Sequence, residues 1–172
     1  MRTLEEVREF FKNDVYASGT TGIEIEDAWP GYAKVTLKID ERHINAVDRV
    51  MGAVYYTMAD FAFAVATNYE YDKSATVTLS SQINFLGAAK GKMLIGEAEV
   101  VKDGRATSFY KVRITDELGT KIAEVSTNGY KLPARSGCSR GRLWSAGGYT
   151  SRFDNIPEAI RPVGRALPFT TL

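Results

Sequence analysis

The residue with the clearest chemical potential is Asp60, the single charged residue in the apolar stretch from Met51 to Asn68. A carboxylate in the middle of a largely buried helix is costly unless another group pairs with it or a reaction uses it. Such charges are candidates for functional sites. A hydrogen bond from a neighbouring hydroxyl, such as that of Thr57, is the structural alternative, but it would still leave a charge buried. The pattern therefore favours a functional carboxylate at Asp60.

Gly52 stands at the predicted start of the same helix. The first amides of a helix have no intrahelical acceptor and lie at the positive end of the helix dipole. A glycine there lets a substrate carbonyl approach closely, so its N–H could stabilise negative charge on the carbonyl oxygen. The simpler interpretation is an ordinary helix N-terminal residue. Asp60 lies roughly 12 Å further along the helix axis, too far to act on the same carbonyl within one chain.

The composition limits the classes of protein to consider. The 172 residues suffice for one domain with a hydrophobic core, and the formal net charge of +1 suggests no polyelectrolyte partner. The single cysteine, Cys138, excludes an internal disulfide and fits a reducing compartment. The single histidine, His43, argues against a His-rich metal site or a Ser-His-Asp triad, and we expect it to be a solvated loop residue. The sequence predicts no metal site.

The chain shows no membrane or export signal. Charged residues interrupt every apolar run at the N-terminus, so no signal peptide is predicted. The 51–68 stretch reaches the lower limit of a membrane span, but Asp60, two threonines and Asn68 interrupt it. A helix that is apolar on all faces can instead form the centre of a soluble fold. We therefore expect a cytoplasmic protein without a membrane partner.

The composition changes after Pro133. Residues 1–133 have a net charge of −3, whereas residues 134–172 have six arginines, no lysine and two acids, a net of +4. The sequence thus predicts a domain over 1–133 and an irregular basic tail over 134–172. Three interpretations of the tail stay open: a disordered or foreign segment, vector-encoded or read out of frame; an extension that packs on a partner subunit; or a nucleic-acid arm. The last is the weakest, because acids and prolines break the basic pattern, and no nucleic-acid partner is predicted.

The periodicity of the first 133 residues predicts an α+β fold. Thr3 and Glu6 form a capping box before a short amphipathic helix. A hairpin is predicted over 21–40, with its turn at 29–31, followed by a loop and the central helix. Four alternating segments then predict antiparallel strands, at 75–86, 92–101, 107–115 and 121–130. An Asp-Gly turn joins the second and third of these strands. One apolar helix can cover the apolar face of such a sheet.

This arrangement resembles the hotdog fold, and more narrowly the phenylacetic-acid-degradation type (PaaI type) of acyl-CoA thioesterase. The resemblance extends over about residues 3–132. It depends on Asn45 and Gly52, which lie fifteen and eight residues before Asp60, as in that family. Thr78, in the following strand, stands where the family often has a Ser or Thr at the catalytic site. The implied fold is an antiparallel sheet wrapped around a long central helix.

The resemblance implies a catalytic site shared between two subunits. Asp60 and Thr78 of one chain would face Asn45 and Gly52 of the other. Asp60 would be the general base or the nucleophile, Asn45 would orient water or the carbonyl, and Thr78 would help to position the water. Judged alone, Asn45 is a common turn residue and Thr78 a common strand residue.

The resemblance also implies a substrate and its contacts. The family often has His-Gly-Gly where this chain has Met51, Gly52 and Ala53, so one substrate contact through Met51 differs from the family pattern. Coenzyme A would enter as part of the substrate, with no separate cofactor. Its phosphates would meet Lys90, Lys92 and Arg105, although surface cations are common.

Three functions remain open from the sequence. The first is hydrolysis of an acyl-CoA thioester by a homodimer or homotetramer. The second is a hotdog protein that binds an acyl-CoA or acyl ligand without catalysis, an alternative motivated by Met51. The third is an interaction protein that only dimerises. The sequence does not define the acyl group or decide between dimer and tetramer, and the fold alone does not define the function.

Overall fold

The computed structural model describes residues 2–71 and 75–132. The predicted boundary at residue 133 and the tail over 134–172 lie outside the described residues. The described part is an α+β fold, as predicted, and its elements follow the predicted order. These elements are α1 (Leu4–Phe11), a π-helix (Val15–Thr21), β1 (Glu24–Trp29), β2 (Tyr32–Lys38), a 3-10 turn (Glu41–His43), α2 (Gly52–Thr67), β3 (Thr76–Phe85), β4 (Met93–Asp103), β5 (Thr107–Asp116) and β6 (Lys121–Lys131).

The six strands form one antiparallel sheet in the order β1-β2-β4-β5-β6-β3. The hairpins β1–β2, β4–β5 and β5–β6 are local, whereas β3 pairs with β6, the last strand of the sheet in sequence. Strand β3 therefore lies at one edge of the sheet, directly after α2 in the chain. This topology brings the side chains of β3 close to those of α2.

Helix α2 is the centre of the hydrophobic core. Its buried side chains pack against the strands, and Met58, Ala62 and Val65 are completely shielded from solvent. Phe63 packs over Gly129 of β6, where an added Cβ would come within 2.6 Å of the Phe63 ring. Truncation of a side chain such as Met58 to Ala should cost about 2–5 kcal/mol. Apart from Gly52 and Thr67 at its ends, the less buried residues of α2 follow a helical spacing of three or four along one stripe, at positions 53, 56, 57, 60 and 64.

A β-bulge in β3 changes which of its side chains face α2. Thr78 pairs with Gly129 and Ser80 with Asn128, so Leu79 is an extra residue in the ladder. Strict alternation would place Thr78 and Phe85 on opposite faces of the sheet. Because of the bulge, Thr78 contacts Asp60 and Phe85 packs near Gly52, so both face α2. A bulge re-aims side chains in this way, and the sequence pattern did not predict it.

The N-terminal helix α1 packs against α2. The capping box of Thr3 and Glu6 is present as predicted, and the Phe11 and Phe61 rings meet edge to face with centroids 5.8 Å apart. The π-helix that follows α1 was not predicted.

The expectation that His43 is solvated was wrong. Its side chain is 2% exposed. Nδ1 accepts the Asp40 amide at 3.0 Å, and Nε2 lies 2.8 Å from the Thr21 carbonyl. A carbonyl oxygen can only accept, so Nε2 carries the proton. A buried imidazole with both nitrogens satisfied joins the π-helix to the segment before α2.

Candidate active site

Asp60 lies on the less buried stripe of α2 and is itself half-buried. The Thr78 hydroxyl donates to its Oδ1 at 2.9 Å. Thr57, the neighbour that the sequence suggested as a donor, instead donates to the Ala53 carbonyl at 2.9 Å. In the part of the chain that the structure describes, no group donates to Asp60 Oδ2. The structure thus brings Asp60 and Thr78 together and leaves one carboxylate oxygen available.

The start of α2 forms a second cluster. Met51 is the N-cap residue in an extended conformation, and its side chain makes no capping hydrogen bond. Within residues 2–71 and 75–132, the amides of Gly52 and Ala53 have no acceptor. Phe85 lies over this helix end, since an added Cβ on Gly52 would be 3.1 Å from its Cζ. Two amides and a half-exposed aromatic ring therefore line the place where a carbonyl oxygen could bind.

Asn45 is fixed beside this helix end by a short closed loop. The Met51 amide donates to the His43 carbonyl at 2.8 Å, and the Asn45 amide donates to the Arg49 carbonyl at 2.8 Å. The Asn45 side chain accepts from the amides of Val47 and Arg49 through Oδ1, at 3.0 and 3.1 Å. Its carbonyl oxygen thus organises the loop, and its Nδ2 is the atom that can donate to a substrate or a water.

The two clusters stand apart within one chain. Asp60 and Gly52 are separated by two turns of α2, about 12 Å along the helix axis. Asn45 and Gly52 lie at the helix start, whereas Asp60 and Thr78 lie further along the helix. One subunit therefore holds two halves of a possible site rather than a complete one.

The predicted phosphate contacts are divided between two ends of the sheet. Lys90 and Lys92 are exposed in the loop before β4, near the start of α2. Arg105 is exposed in the β4–β5 turn, at the opposite end of the eleven-residue β4 and so roughly 30 Å away. The structure brings the two lysines together but not Arg105, so one subunit cannot direct all three cations at the same phosphates.

Two residues of this region were not predicted from the sequence. Phe85 reaches Gly52 only because the bulge changes the alternation of β3, for which the sequence gives no clear signal. Asp116 is a buried carboxylate that accepts backbone amides from two loops. It lies between the strands predicted at 107–115 and 121–130, and that pattern did not indicate that its side chain would be buried.

No helix in residues 2–71 and 75–132 combines the length and the apolarity that a membrane span requires. Within the same ranges, no three or more His, Cys, Asp or Glu side chains are grouped so that they could hold a metal ion.

Comparison with known proteins shows which class this chain is similar to. Residues 48–123, which include α2, Asp60 and Thr78, match the family model of the thioesterase superfamily. The structure of Escherichia coli PaaI, from the phenylacetic acid degradation operon, superposes with a TM-score of 0.66 at 23% identity and covers 76% of this chain and 96% of its own. Residues 48–123 are therefore similar to the thioesterase superfamily, and the fold of the described part is the hotdog fold, as the resemblance implied.

Within this class the similarity is to the PaaI type. Acyl-coenzyme A thioesterase PaaI of Escherichia coli is 28% identical over 123 residues, which are 71% of this chain and 86% of PaaI. Human acyl-coenzyme A thioesterase 13 is 26% identical over 101 residues, 58% of this chain and 72% of that protein. A Streptococcus pneumoniae structure, described as a hypothetical thioesterase with coenzyme A, has a TM-score of 0.63 at 25% identity and covers 73% of this chain and 99% of its own. The family supports thioester hydrolysis as the general activity.

Proposed function

We propose that this protein hydrolyses acyl-CoA thioesters at a site shared between two copies of the chain. The observation that carries the proposal is the environment of Asp60. Among the residues that the structure describes, one hydroxyl, that of Thr78, orients this half-buried carboxylate, and its other oxygen accepts no donor on the accessible stripe of α2. A carboxylate that is oriented but not fully paired suits proton abstraction or nucleophilic attack.

The choice of substrate is supported by the relatives. Two of them are named acyl-coenzyme A thioesterases, and a structural neighbour at 25% identity contains coenzyme A. Lys90 and Lys92 are exposed near the start of α2, where coenzyme A phosphates could meet them. Coenzyme A would be part of the substrate, with no separate cofactor, and the cytoplasmic location stays a prediction from the sequence.

The shared site is supported by the edge of the sheet. Strand β3 carries exposed apolar side chains, including Val77, Leu79 and Phe85, and has a sheet neighbour on one side only in the described structure. A long apolar edge strand is a template for pairing with another chain, and an exposed apolar patch is typical of an interface. A second copy seated there would also cover the accessible stripe of α2. The Gly52 of that second copy could then lie close to the Asp60 of the first chain, which is too far from the Gly52 of its own chain.

The chemistry follows from these positions. Acting as a base, Asp60 takes a proton from a water whose oxygen attacks the thioester carbon. The partner's Gly52 amide holds the developing oxyanion. Collapse of the tetrahedral intermediate breaks the C–S bond, and coenzyme A leaves as a thiol after taking up the proton. If Asp60 is instead the nucleophile, its oxygen attacks the thioester carbon, the C–S bond breaks and coenzyme A leaves. Water then hydrolyses the mixed anhydride to the free acid and the Asp60 carboxylate.

The oxyanion role of Gly52 can be tested by Gly52→Pro. Proline lacks the N–H but is well tolerated at the first position of a helix, and Met51 already has the extended backbone that precedes proline. Gly52→Ala is the matched control, because it adds a Cβ and keeps the amide. In a thiol-release assay over a panel of acyl-CoA esters, we expect kcat to fall about 100-fold for Gly52→Pro relative to Gly52→Ala. Equal rates for the two variants would show that the Gly52 amide does not stabilise the oxyanion.

Sharing of the site can be tested with mixed dimers. Asp60→Asn and Gly52→Pro are each expected to be nearly inactive. If each site uses Asp60 of one chain and Gly52 of the other, a mixed dimer retains one site without a substitution. Random mixing should therefore restore about a quarter of the wild-type rate, as two-fold symmetry requires. No recovery in a mixture that demonstrably exchanges subunits would place the site within one chain.

The second candidate is binding of an acyl-CoA without hydrolysis. It is favoured by Met51, which stands where the family often has His and is about half-exposed at the start of α2. Calorimetry that shows tight binding of acyl-CoA, with no thiol released over hours, would favour this candidate. The dimer is common to both candidates, and sedimentation will distinguish it from a tetramer.

A further inference from the structure

Asp116 joins two loops through its side chain. It is 1% exposed, at the end of β5. Its Oδ2 accepts the amides of Lys90 and Gly91 at 2.9 and 3.0 Å. Its Oδ1 accepts the amides of Leu118 and Thr120 at 3.1 and 2.8 Å. One oxygen therefore holds the β5–β6 turn and the other holds residues 86–92, which we term the lysine loop.

Glu117 completes the attachment of the lysine loop. Its carboxylate accepts the amides of Lys92 and Met93 at 2.7 and 2.9 Å. Gly91 has no Cβ, and an added Cβ would collide with this carboxylate. At the other end of the loop, the amides of Leu86 and Gly87 donate to a β6 carbonyl at 2.8 and 3.2 Å. The backbone of the loop is thus held along most of its length.

The lysine loop lies beside the start of α2. The backbone of Ala89 lies close to the Tyr55 hydroxyl, one turn into the helix. The Phe85 ring, directly before the loop, lies over Gly52. The loop is therefore held next to the amides that are candidates for the oxyanion site.

The lysine side chains themselves are not used by the fold. Lys90 and Lys92 are exposed, and neither forms an ion pair or a side-chain hydrogen bond with any residue that the structure describes. Six backbone amides in and around the two loops are held by carboxylates, while two cations are left for solvent or a ligand. Burial alone would raise the pKa of Asp116, but the amides of Lys90, Thr120 and Gly91 together hold it well below its usual range. The carboxylate therefore stays ionised.

We infer that Asp116 is a positioning residue for coenzyme A, which fixes the lysine loop so that Lys90 and Lys92 meet the nucleotide phosphates of the substrate. The inference rests on the proposed function and deepens it. A loop that is fixed before binding loses little conformational entropy when its cations meet a ligand. Loss of the attachment should therefore weaken binding of the nucleotide part and leave the reaction at the thioester unchanged.

The test compares two substrates with the same acyl group, one on coenzyme A and one on pantetheine, which lacks the nucleotide. In Asp116→Asn an amide NH₂ replaces one accepting oxygen and faces two amide donors. We expect kcat/KM for the CoA ester to fall about tenfold or more, mainly through KM, with less than about a threefold change for the pantetheine ester. Lys90→Ala with Lys92→Ala should give the same selective loss, and adding Asp116→Asn to that double variant should change little further.

Asp103→Asn is the matched control, since Asp103 pairs with Lys131 at the other end of β4. It should affect neither substrate. An equal loss on both substrates, or no loss, in Asp116→Asn overturns the inference. If that variant does not fold, Glu117→Gln, which weakens only the attachment of Lys92 and Met93, is judged by the same criterion.

A second readout separates this inference from the proposed function. If the wild-type protein releases no thiol, hydrolysis has failed as a function, and coenzyme A binding by calorimetry then judges the positioning role. Weaker binding in Asp116→Asn, with faster amide hydrogen exchange in the lysine loop, supports the role. Unchanged binding in the variant, or no binding by the wild type, overturns it.

Discussion

Two aspartates of this domain show opposite solutions to the placement of a charge. Asp116 is almost completely buried and accepts four backbone amides. Asp60 is half-buried and accepts one hydroxyl, with Oδ2 free of described donors. A carboxylate whose oxygens are occupied by fixed donors holds structure together, whereas one with a free oxygen can take part in a reaction. The number of donors, rather than burial alone, separates the two roles.

The largest effect that we expect is the loss of turnover in Asp60→Asn. The amide is isosteric but can neither take up a proton nor attack, so kcat should fall about 1,000-fold. The melting temperature should change little, because only the hydrogen bond from Thr78 is affected. Thiol release and calorimetric unfolding measure the two quantities. A large fall in the melting temperature of Asp60→Asn would show that Asp60, like Asp116, holds the structure together.

Asp116→Asn should give the reverse pattern. In this variant the side-chain NH₂ faces two backbone N–H groups in a buried place, and no oxygen accepts them. The melting temperature should therefore fall by about 10 °C. Turnover of a pantetheine ester should stay close to that of the wild type at temperatures where the variant is folded. A melting temperature equal to that of the Asp103→Asn control would contradict the structural role of Asp116.

A smaller effect is expected from the group that orients Asp60. Thr78→Val keeps the shape of the side chain but removes the hydroxyl, and kcat should fall about tenfold. Thr78→Ser keeps the hydroxyl and should restore most of the rate. In the background of Asp60→Asn, Thr78→Val should have almost no further effect, because the two residues act together. Additive losses would show that Thr78 acts independently of Asp60.

The smallest expected effect is a dependence of stability on pH. The pKa of Asp116 in the folded protein lies below its ordinary value of 3.8, because the hydrogen bonds from backbone amides outweigh the effect of burial. The ionised form therefore contributes stability that is fully present above about pH 4 and is lost as the pH falls through the folded pKa. The difference in melting temperature between wild type and Asp116→Asn should be constant from pH 5 to 7 and narrow below that range. If the difference in melting temperature stayed constant down to pH 2.5, ionisation of Asp116 would not be its cause.

The sequence predicted the elements of the fold because each depends on a local pattern. The capping box at Thr3, the alternating strands and the apolar helix around Asp60 are all visible within short windows. The family resemblance added Thr78, which the structure places against Asp60. The roles of these residues in catalysis stay predictions.

The features that the sequence did not reveal depend on contacts between distant residues. His43 was expected in solvent, but the carbonyl of Thr21 and the amide of Asp40 satisfy its ring inside the protein. The burial of Asp116 was not predicted, because two of its donors, the amides of Lys90 and Gly91, come from a loop that is remote in sequence. Arg105 was predicted to contact the same phosphates as the two lysines. The length of β4 separates it from them, so it cannot do so within one subunit.

The single extra residue at Leu79 divides β3 into two parts with separate duties. Before it, Thr78 supports the acid; after it, Phe85 borders the place where a substrate carbonyl could lie. Evolution could therefore change the ring at position 85 without disturbing the support of Asp60. Deletion of Leu79 would restore strict alternation in β3. The strand would then turn either the Thr78 hydroxyl or the Phe85 ring away from the helix.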